Sequence, residues 1–198
     1  MEDLRAKLGI KHTMLMYVGN LEAYQGIDLL LDSFALALRE NPQASLVIIG
    51  GESSDIQKYT HKASRLNIQG HVHFLGPRPA DKLSMYLSQA DILVSPRVKG
   101  KNTPMKIYSY LDSGKALVAT DLPTHTQVLH HGIAMLAQPN PTAFSQGILK
   151  LLEDTNLRLN LGNGGKQFIQ QNHTYNVFSE KLNGIYDWLH GELVQGIA

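Results

Sequence analysis

Cysteine is absent from this chain. That excludes disulfide staples, thiolate nucleophiles and cysteine-based metal centres, and it is compatible with a reducing compartment. A surplus of one charge is lacking too. Lys and Arg number 18 against 17 Asp and Glu, a formal net charge of +1, so there is no bulk electrostatic case for nucleic acid or an anionic membrane surface. No apolar run reaches the roughly 20 residues of a membrane helix. The charged opening Met1-Glu2-Asp3-Leu4-Arg5-Ala6-Lys7-Leu8 does not read as a signal peptide. The expected location is cytoplasmic. Repeats, low-complexity tracts and linker composition are also missing. What remains is 198 residues, 43% hydrophobic and 18% charged, enough for one domain with a substantial core.

Short apolar runs alternate with longer helical patterns. The runs are Met14–Val18, Leu46–Ile49, Val72–Leu75, Ile92–Ser95, Ala116–Ala119 and Ala134–Ala137. Between the first two, Ile27, Leu30, Leu31, Phe34 and Leu38 recur at helical spacing, and Asn41-Pro42 closes the pattern. Strands apolar on both faces and separated by helices predict an α/β fold, a doubly wound parallel sheet of about six strands. After about residue 140 the pattern is helical, with candidates over 142–153, 157–171 and 175–189. Within the second candidate, Gly162-Asn163-Gly164-Gly165 predicts a break and a turn.

Ligands of such sheets sit outside the carboxyl ends of the strands. Four loops, 19–26, 50–54, 76–79 and 95–104, are predicted to meet there. Gly19, Gly51 and Gly76 stand in the first three and allow close backbone approach. The fourth leads through Lys101, Thr103, Pro104, Met105 and Lys106 into a predicted helix with Pro104 in its first turn, closed by Gly114. A helix start presents unpaired N–H groups and a positive dipole end, so this segment suggests a phosphate-bearing ligand. Met14, Met16, Met85 and Met105 read as core filler. Nine histidines raise the question of metal. His71 and His73 share a strand face, but two ligands do not close a zinc site, so no metal is expected. The histidines read as surface polar groups, none with a serine or aspartate partner in a nucleophile geometry.

These segments carry a resemblance. Tyr17-Val18-Gly19-Asn20-Leu21, Gln25-Gly26-Ile27-Asp28-Leu29-Leu30-Leu31, Val47-Ile48-Ile49-Gly50-Gly51, Val72-His73-Phe74-Leu75-Gly76, Ala90-Asp91-Ile92-Leu93-Val94-Ser95-Pro96 and Ser113–Asp121 occur in order. Together they resemble the C-terminal, nucleotide-sugar donor-binding domain of retaining glycosyltransferases of the GT-B fold, group 1 or family 4 type. The resemblance runs from about Met14 to Leu189. It implies a Rossmann-like half of a two-domain enzyme, with residues 1–13 as the interdomain connection and 14–198 as the donor domain with its C-terminal helices. It implies a nucleotide-diphosphate sugar as ligand and no bound cofactor. The acceptor-binding N-terminal half is then the absent partner, and peripheral membrane association would belong to that half. The last helix, around Tyr175–Leu189, resembles the one that packs on the partner half. Its apolar side chains Phe178, Leu182, Ile185, Tyr186, Trp188 and Leu189 are expected to be exposed.

The chain departs from the family at its charged positions. The family's two signature glutamates align with Lys101 and Ser109, and neither is a carboxylate. The family's arginine and lysine that neutralise the diphosphate align with Asn20 and Gln25. Lys101 and Lys106, with Arg78, Arg97 and Lys99 on the rim, are the remaining cations. The donor-binding set is therefore Gly19, Asn20, Gln25, Gly51, Gly76, Arg78, Lys101, Thr103, Pro104, Met105, Lys106 and Ser109, with no catalytic residue assigned. Loss of both glutamates favours a non-catalytic nucleotide-sensing or protein-interaction module. Survival of the other motifs in order favours the enzyme, with the isolated chain inactive.

Overall fold

The computed structural model describes residues 2–195. Six parallel strands form one sheet, β1 (Thr13–Val18), β2 (Ala44–Ile49), β3 (Val72–Gly76), β4 (Ile92–Ser95), β5 (Ala116–Thr120) and β6 (Met135–Ala137), in the order β3-β2-β1-β4-β5-β6. This is the strand order of a Rossmann sheet, whose topological switch lies between β1 and β4. Residues alternate across it, as the pleat requires. Leu15, Tyr17, Leu46, Ile48, Ile92, Val94 and Val118 join one core layer, and Met14, Met16, Val47, Ile49, Leu93, Leu117 and Ala119 join the other. The predicted α/β doubly wound fold is the observed one.

The first layer is covered by α2 (Ile27–Glu40), α3 (Ser53–Arg65) and α7 (Pro141–Glu153). Helices α1 (Leu4–Leu8), α4 (Leu83–Leu87) and α5 (Lys106–Asp112) cover the second. A one-turn helix, α6 (Pro123–Thr126), follows β5. Helix α8 (Thr155–Asn172) bridges the layers, placing Leu161 in the first and Ile169 in the second. The chain opening is stitched to α4 and to the segments on either side of it. Leu4 N–H donates to Gln89 Oε1 at 2.7 Å, and the Glu2 carboxylate takes hydrogen bonds from Arg78 and Tyr86. Those bonds, with Lys7, hold the Glu2 carboxyl down at about 2.

Two expectations fail here. The glycines at 162, 164 and 165 make no turn; they lie inside the continuous α8. A Cβ at Gly162 would stand 2.2 Å from the Gly114 carbonyl oxygen, and one at Gly165 would stand 2.8 Å from Leu111. The glycines let α8 pack onto the turn between α5 and β5, so a local breaker signal is overridden by tertiary contact. Met105 is not core filler but 78% exposed.

Helix α9 (Tyr175–Gln195) ends the described chain. Phe178, Leu182, Ile185, Tyr186, Trp188 and Leu189 are all exposed on it, as the sequence predicts. The two helices separate propensity from packing. In α9, a methyl group added at Gly184 would have nothing within 4 Å, so Gly184→Ala is expected to stabilise by roughly 0.5–1 kcal/mol. Gly162→Ala makes the same propensity gain but meets backbone, and overpacking of about 1–3 kcal/mol outweighs it. Urea unfolding of both variants should give opposite signs; the same sign would refute the packing account.

Candidate functional site

The ladder between β1 and β4 is short. It pairs Leu15 with Ile92 and Met16 with Leu93, although both strands run two residues further. The sheet therefore splits at its carboxyl edge, and α5 fills the split. Val18 N–H donates to Tyr110 Oη at 2.8 Å, and Tyr110 Oη donates to Val18 C=O at 3.3 Å. The phenol stands in for the missing strand neighbour and satisfies the buried backbone.

One turn earlier on α5, Lys106 reaches over the sheet edge to the opposite layer. Its Nζ donates to Tyr17 Oη at 2.9 Å and to Gln25 Oε1 at 3.4 Å, and lies 4.0 Å from the Tyr17 ring centre. Tyr17 Oη donates in turn to Asn20 C=O at 2.6 Å. Gly19, at φ 150°, makes the room: a Cβ there would stand 2.5 Å from Lys106 Nζ. Burial, and then the positive charge of Arg97, lower the Lys106 pKa to about 7. Burial also raises the Tyr17 and Tyr110 hydroxyls above the ordinary phenol range.

The fourth loop is clamped from β5 and α6. Thr120 Oγ1 donates to Arg97 C=O at 2.6 Å, Thr124 Oγ1 to Asn102 C=O at 2.7 Å, and Gln127 Nε2 to Lys101 C=O at 2.8 Å. Beneath it, His125 is fully buried, 2.9 Å by Nε2 from Ser95 Oγ and 2.9 Å by Nδ1 from Thr120 C=O. This corrects the expectation that the histidines are surface groups without a serine partner. The pair is structural, because Ser95 is itself 1% exposed and no substrate reaches it. Burial is the first cause that lowers the His125 pKa to about 4, with Arg97 and Lys106 adding to it. The ring is neutral, so Nδ1 donates to Thr120 C=O and Nε2 accepts from Ser95.

The twelve sequence-derived residues do not form one cluster. Gly19, Asn20, Gly51 and Arg78 line a cleft of about 340 Å³ over β1 to β3. Gly76 does not line it but adjoins it through the lining residue Gly50, whose N–H donates to Gly76 C=O at 2.9 Å. Gln25 joins Lys106 at the sheet split. Thr103, Pro104 and Met105 approach α5, which begins at Lys106 with Pro104 two residues ahead of it, later than predicted. Ile107 and Tyr108 N–H turn back to the Pro104 and Met105 carbonyls. Ser109 lies elsewhere, in a groove of about 390 Å³ between α4 and α5, beside Ser84 and Asp112. Lys101 is exposed.

Two rim cations are occupied. Arg78 pairs with Glu2 and donates to Leu75 C=O. Arg97 folds onto its own loop, donating to Lys99 C=O at 2.8 Å, and lies over the Tyr24 ring. Sequence reasoning missed Tyr17, Tyr110, Ser95, Thr120 and His125. The signal was present: a phenol or hydroxyl at the end of an apolar strand needs a buried partner.

Residues 1–168 match the model of the family described as glycosyl transferases group 1. An uncharacterised glycosyltransferase of Methanocaldococcus jannaschii is 24% identical over 192 residues, covering 95% of this chain and 48% of the relative. The D-inositol 3-phosphate glycosyltransferase of Corynebacterium diphtheriae is 26% identical over 203 residues, covering 93% and 45%. The chain thus spans about half the length of these relatives. Among solved structures, Anabaena HepE in complex with UDP superposes with a TM-score of 0.84 at 19% identity, covering 93% of this chain and 51% of that one. Sucrose-phosphate synthase of Thermosynechococcus elongatus gives 0.81 at 20%, covering 95% and 48%. With its Rossmann sheet, its glycine-lined carboxyl edge and a family match over most of its length, this chain belongs to the group 1 glycosyltransferases.

Proposed function

We propose that this chain is the donor-binding C-terminal half of a retaining glycosyltransferase that uses a nucleotide-diphosphate sugar. The observation that carries the reading is the split between β1 and β4, where Lys106 supplies a cation beside Gln25, the position at which related enzymes place a lysine. The cationic role absent at the neutral Asn20 and Gln25 thus falls to Lys106 in the ligand-bound site. The diphosphate seats at the split against Lys106, Gly19 and the N–H groups of Met105 and Lys106, which have no backbone acceptor among the described residues. As the glycosidic bond to the donor breaks, negative charge gathers on the diphosphate, and a cation fixed in a partly desolvated site stabilises it.

Residues 1–13 serve as the connection to the acceptor-binding half. The exposed face of α9 packs against that half, burying Phe178, Ile185, Tyr186 and Trp188. The chain alone binds donor and transfers nothing. Among the described residues no helix is long and apolar enough to cross a membrane.

Titration calorimetry with UDP, GDP and ADP tests this. One diphosphate is expected to bind, with UDP tried first because HepE was solved with it. If none binds at millimolar concentration, the donor-site reading is wrong. Lys101 and Ser109 in place of carboxylates favour a second reading, a nucleotide-sensing module. Under it the nucleoside diphosphate binds as tightly as the nucleotide sugar, and the two-domain protein has no transferase activity.

A further inference from the structure

Lys106 is half-buried without a counter-ion. Among the described residues no carboxylate lies within ion-pair distance of it. Its polar neighbours are both neutral, Tyr17 Oη at 2.9 Å and Gln25 Oε1 at 3.4 Å. An ammonium has three N–H groups; these two acceptors use two, and the third has none among the described residues. The charged or titratable groups about it are Tyr17 from β1, Arg97 after β4 and His125 from α6. Only Arg97 brings a full charge, and it is of the same sign. Desolvation and the like charge of Arg97 outweigh the contact with the Tyr17 ring and disfavour the ammonium until an anion arrives.

We propose that the donor's diphosphate and a proton bind together here, the proton ending on Lys106 Nζ. This rests on the donor-site reading above. The lone pair of the free amine takes a proton from the buffer acid, whose bond to it breaks to leave the conjugate base; one N–H bond forms, and the new ammonium pairs with a diphosphate oxygen. A guanidinium or an exposed lysine, charged at all times, would bind the same anion without taking up a proton. Gln25 is what permits the difference, since a carboxylate there would hold Lys106 charged in the free protein.

The free amine titrates at about 7. His125, at about 4, and the two buried phenols, raised by burial, stay silent between pH 6 and pH 9. The test is calorimetry of the chain with UDP-glucose, GDP-mannose and ADP-glucose in paired buffers of different ionisation enthalpy. Their diphosphates are diesters and do not titrate in this range. Uptake of about 0.9 proton is expected at pH 8 and about 0.1 at pH 6, with affinity falling about tenfold per unit at higher pH. Lys106→Arg should bind with no uptake and a flat pH profile. Gln25→Glu, which leaves Lys106 in place, should abolish uptake and weaken binding.

Binding by the wild type without proton uptake overturns the proposal and leaves the donor reading standing. Uptake that persists unchanged in Gln25→Glu or Lys106→Arg also overturns it, because the proton then lands elsewhere. Failure of all three nucleotide sugars to bind at any pH defeats the donor reading itself.

Discussion

Gly26→Ala is expected to lower unfolding stability by about 2–5 kcal/mol and to abolish nucleotide binding at the sheet split. Gly26 has φ 76° and ψ 29°, the left-handed region, which costs a residue with a side chain roughly 1–2 kcal/mol. Its hydrogen also faces the next wall of the site. A Cβ would stand 2.0 Å from the Pro96 carbonyl oxygen and 2.8 Å from the Pro96 carbonyl carbon. Both are backbone, so the two loops must separate, and overpacking of this kind adds about 1–3 kcal/mol. Separation also strains the bond from Val98 N–H to Tyr24 C=O at 3.0 Å and moves Gln25 away from Lys106.

Gly9→Ala is the control. Gly9 has nearly the same backbone, φ 66°, with nothing within 4 Å of the added methyl. It should lose only the conformational part, about 1–2 kcal/mol. Urea unfolding with unchanged m-values measures the difference, and equal losses in the two variants would show that the close approach at Pro96 carries no energy.

The second large effect is on pH. His125 is held neutral, with a folded-state pKa of about 4 against an ordinary 6.5. The depressed value means that the unfolded chain binds this proton first. Stability from this group is complete above 6.5, falls as the pH drops through the window and is lost by about 4. The displacement corresponds to about 3 kcal/mol. Glu2, whose carboxyl is held at about 2, loses its contribution at lower pH and so overlaps little. His125→Gln keeps a hydrogen-bonding side chain but removes the proton. Its unfolding free energy should change less than that of the wild type between pH 6.5 and pH 4, by most of that amount. Parallel curves for the two proteins would mean that His125 is not held neutral. Nucleotide binding should follow stability here, because Thr120 and Ser95 sit under the loop that precedes α5.

Much of the fold was legible because its signals are local. An apolar run such as Leu46–Ile49, polar on neither face and stopped by Gly50, reads directly as a strand buried from both sides. The helical period of Ile27, Leu30, Leu31 and Phe34 likewise marked α2, and the observed helix covers all four. The glycines at 162, 164 and 165 misled because the breaker rule weighs only backbone entropy. Here Gly162 answers to the Gly114 carbonyl, a partner on another element.

The site was legible as a place and not as a mechanism. Glycines at the carboxyl edge pointed to a candidate place, and the family pattern marked Asn20 and Gln25 as positions where charge was lost. Lys101 and Lys106 were named as the remaining cations, but that Lys106 alone meets Tyr17 and Gln25 was not visible. Lys106 and Gln25 are 81 residues apart in sequence, Ser95 and His125 are 30 apart, and Tyr110 and Val18 are 92 apart. Nothing in their spacing predicts that they touch. Ser109 differs in the opposite sense: its place in the signature suggested the donor, while the structure places it in a groove beside Asp112 and α4.

By itself the sequence determined the strand-and-helix alternation, the parallel sheet, the glycine-lined edge and the family. Each follows from periodicity, propensity and motif order, which act between near neighbours in the chain. Tertiary structure alone decided that Lys106 crosses the sheet split to Tyr17 and Gln25, that His125 is buried and neutral, and that Arg78 and Arg97 are already occupied. Those outcomes depend on burial and on which polar groups meet, and both are properties of the packed layers, set only when β1 and β4 part and α5 fills the gap between them.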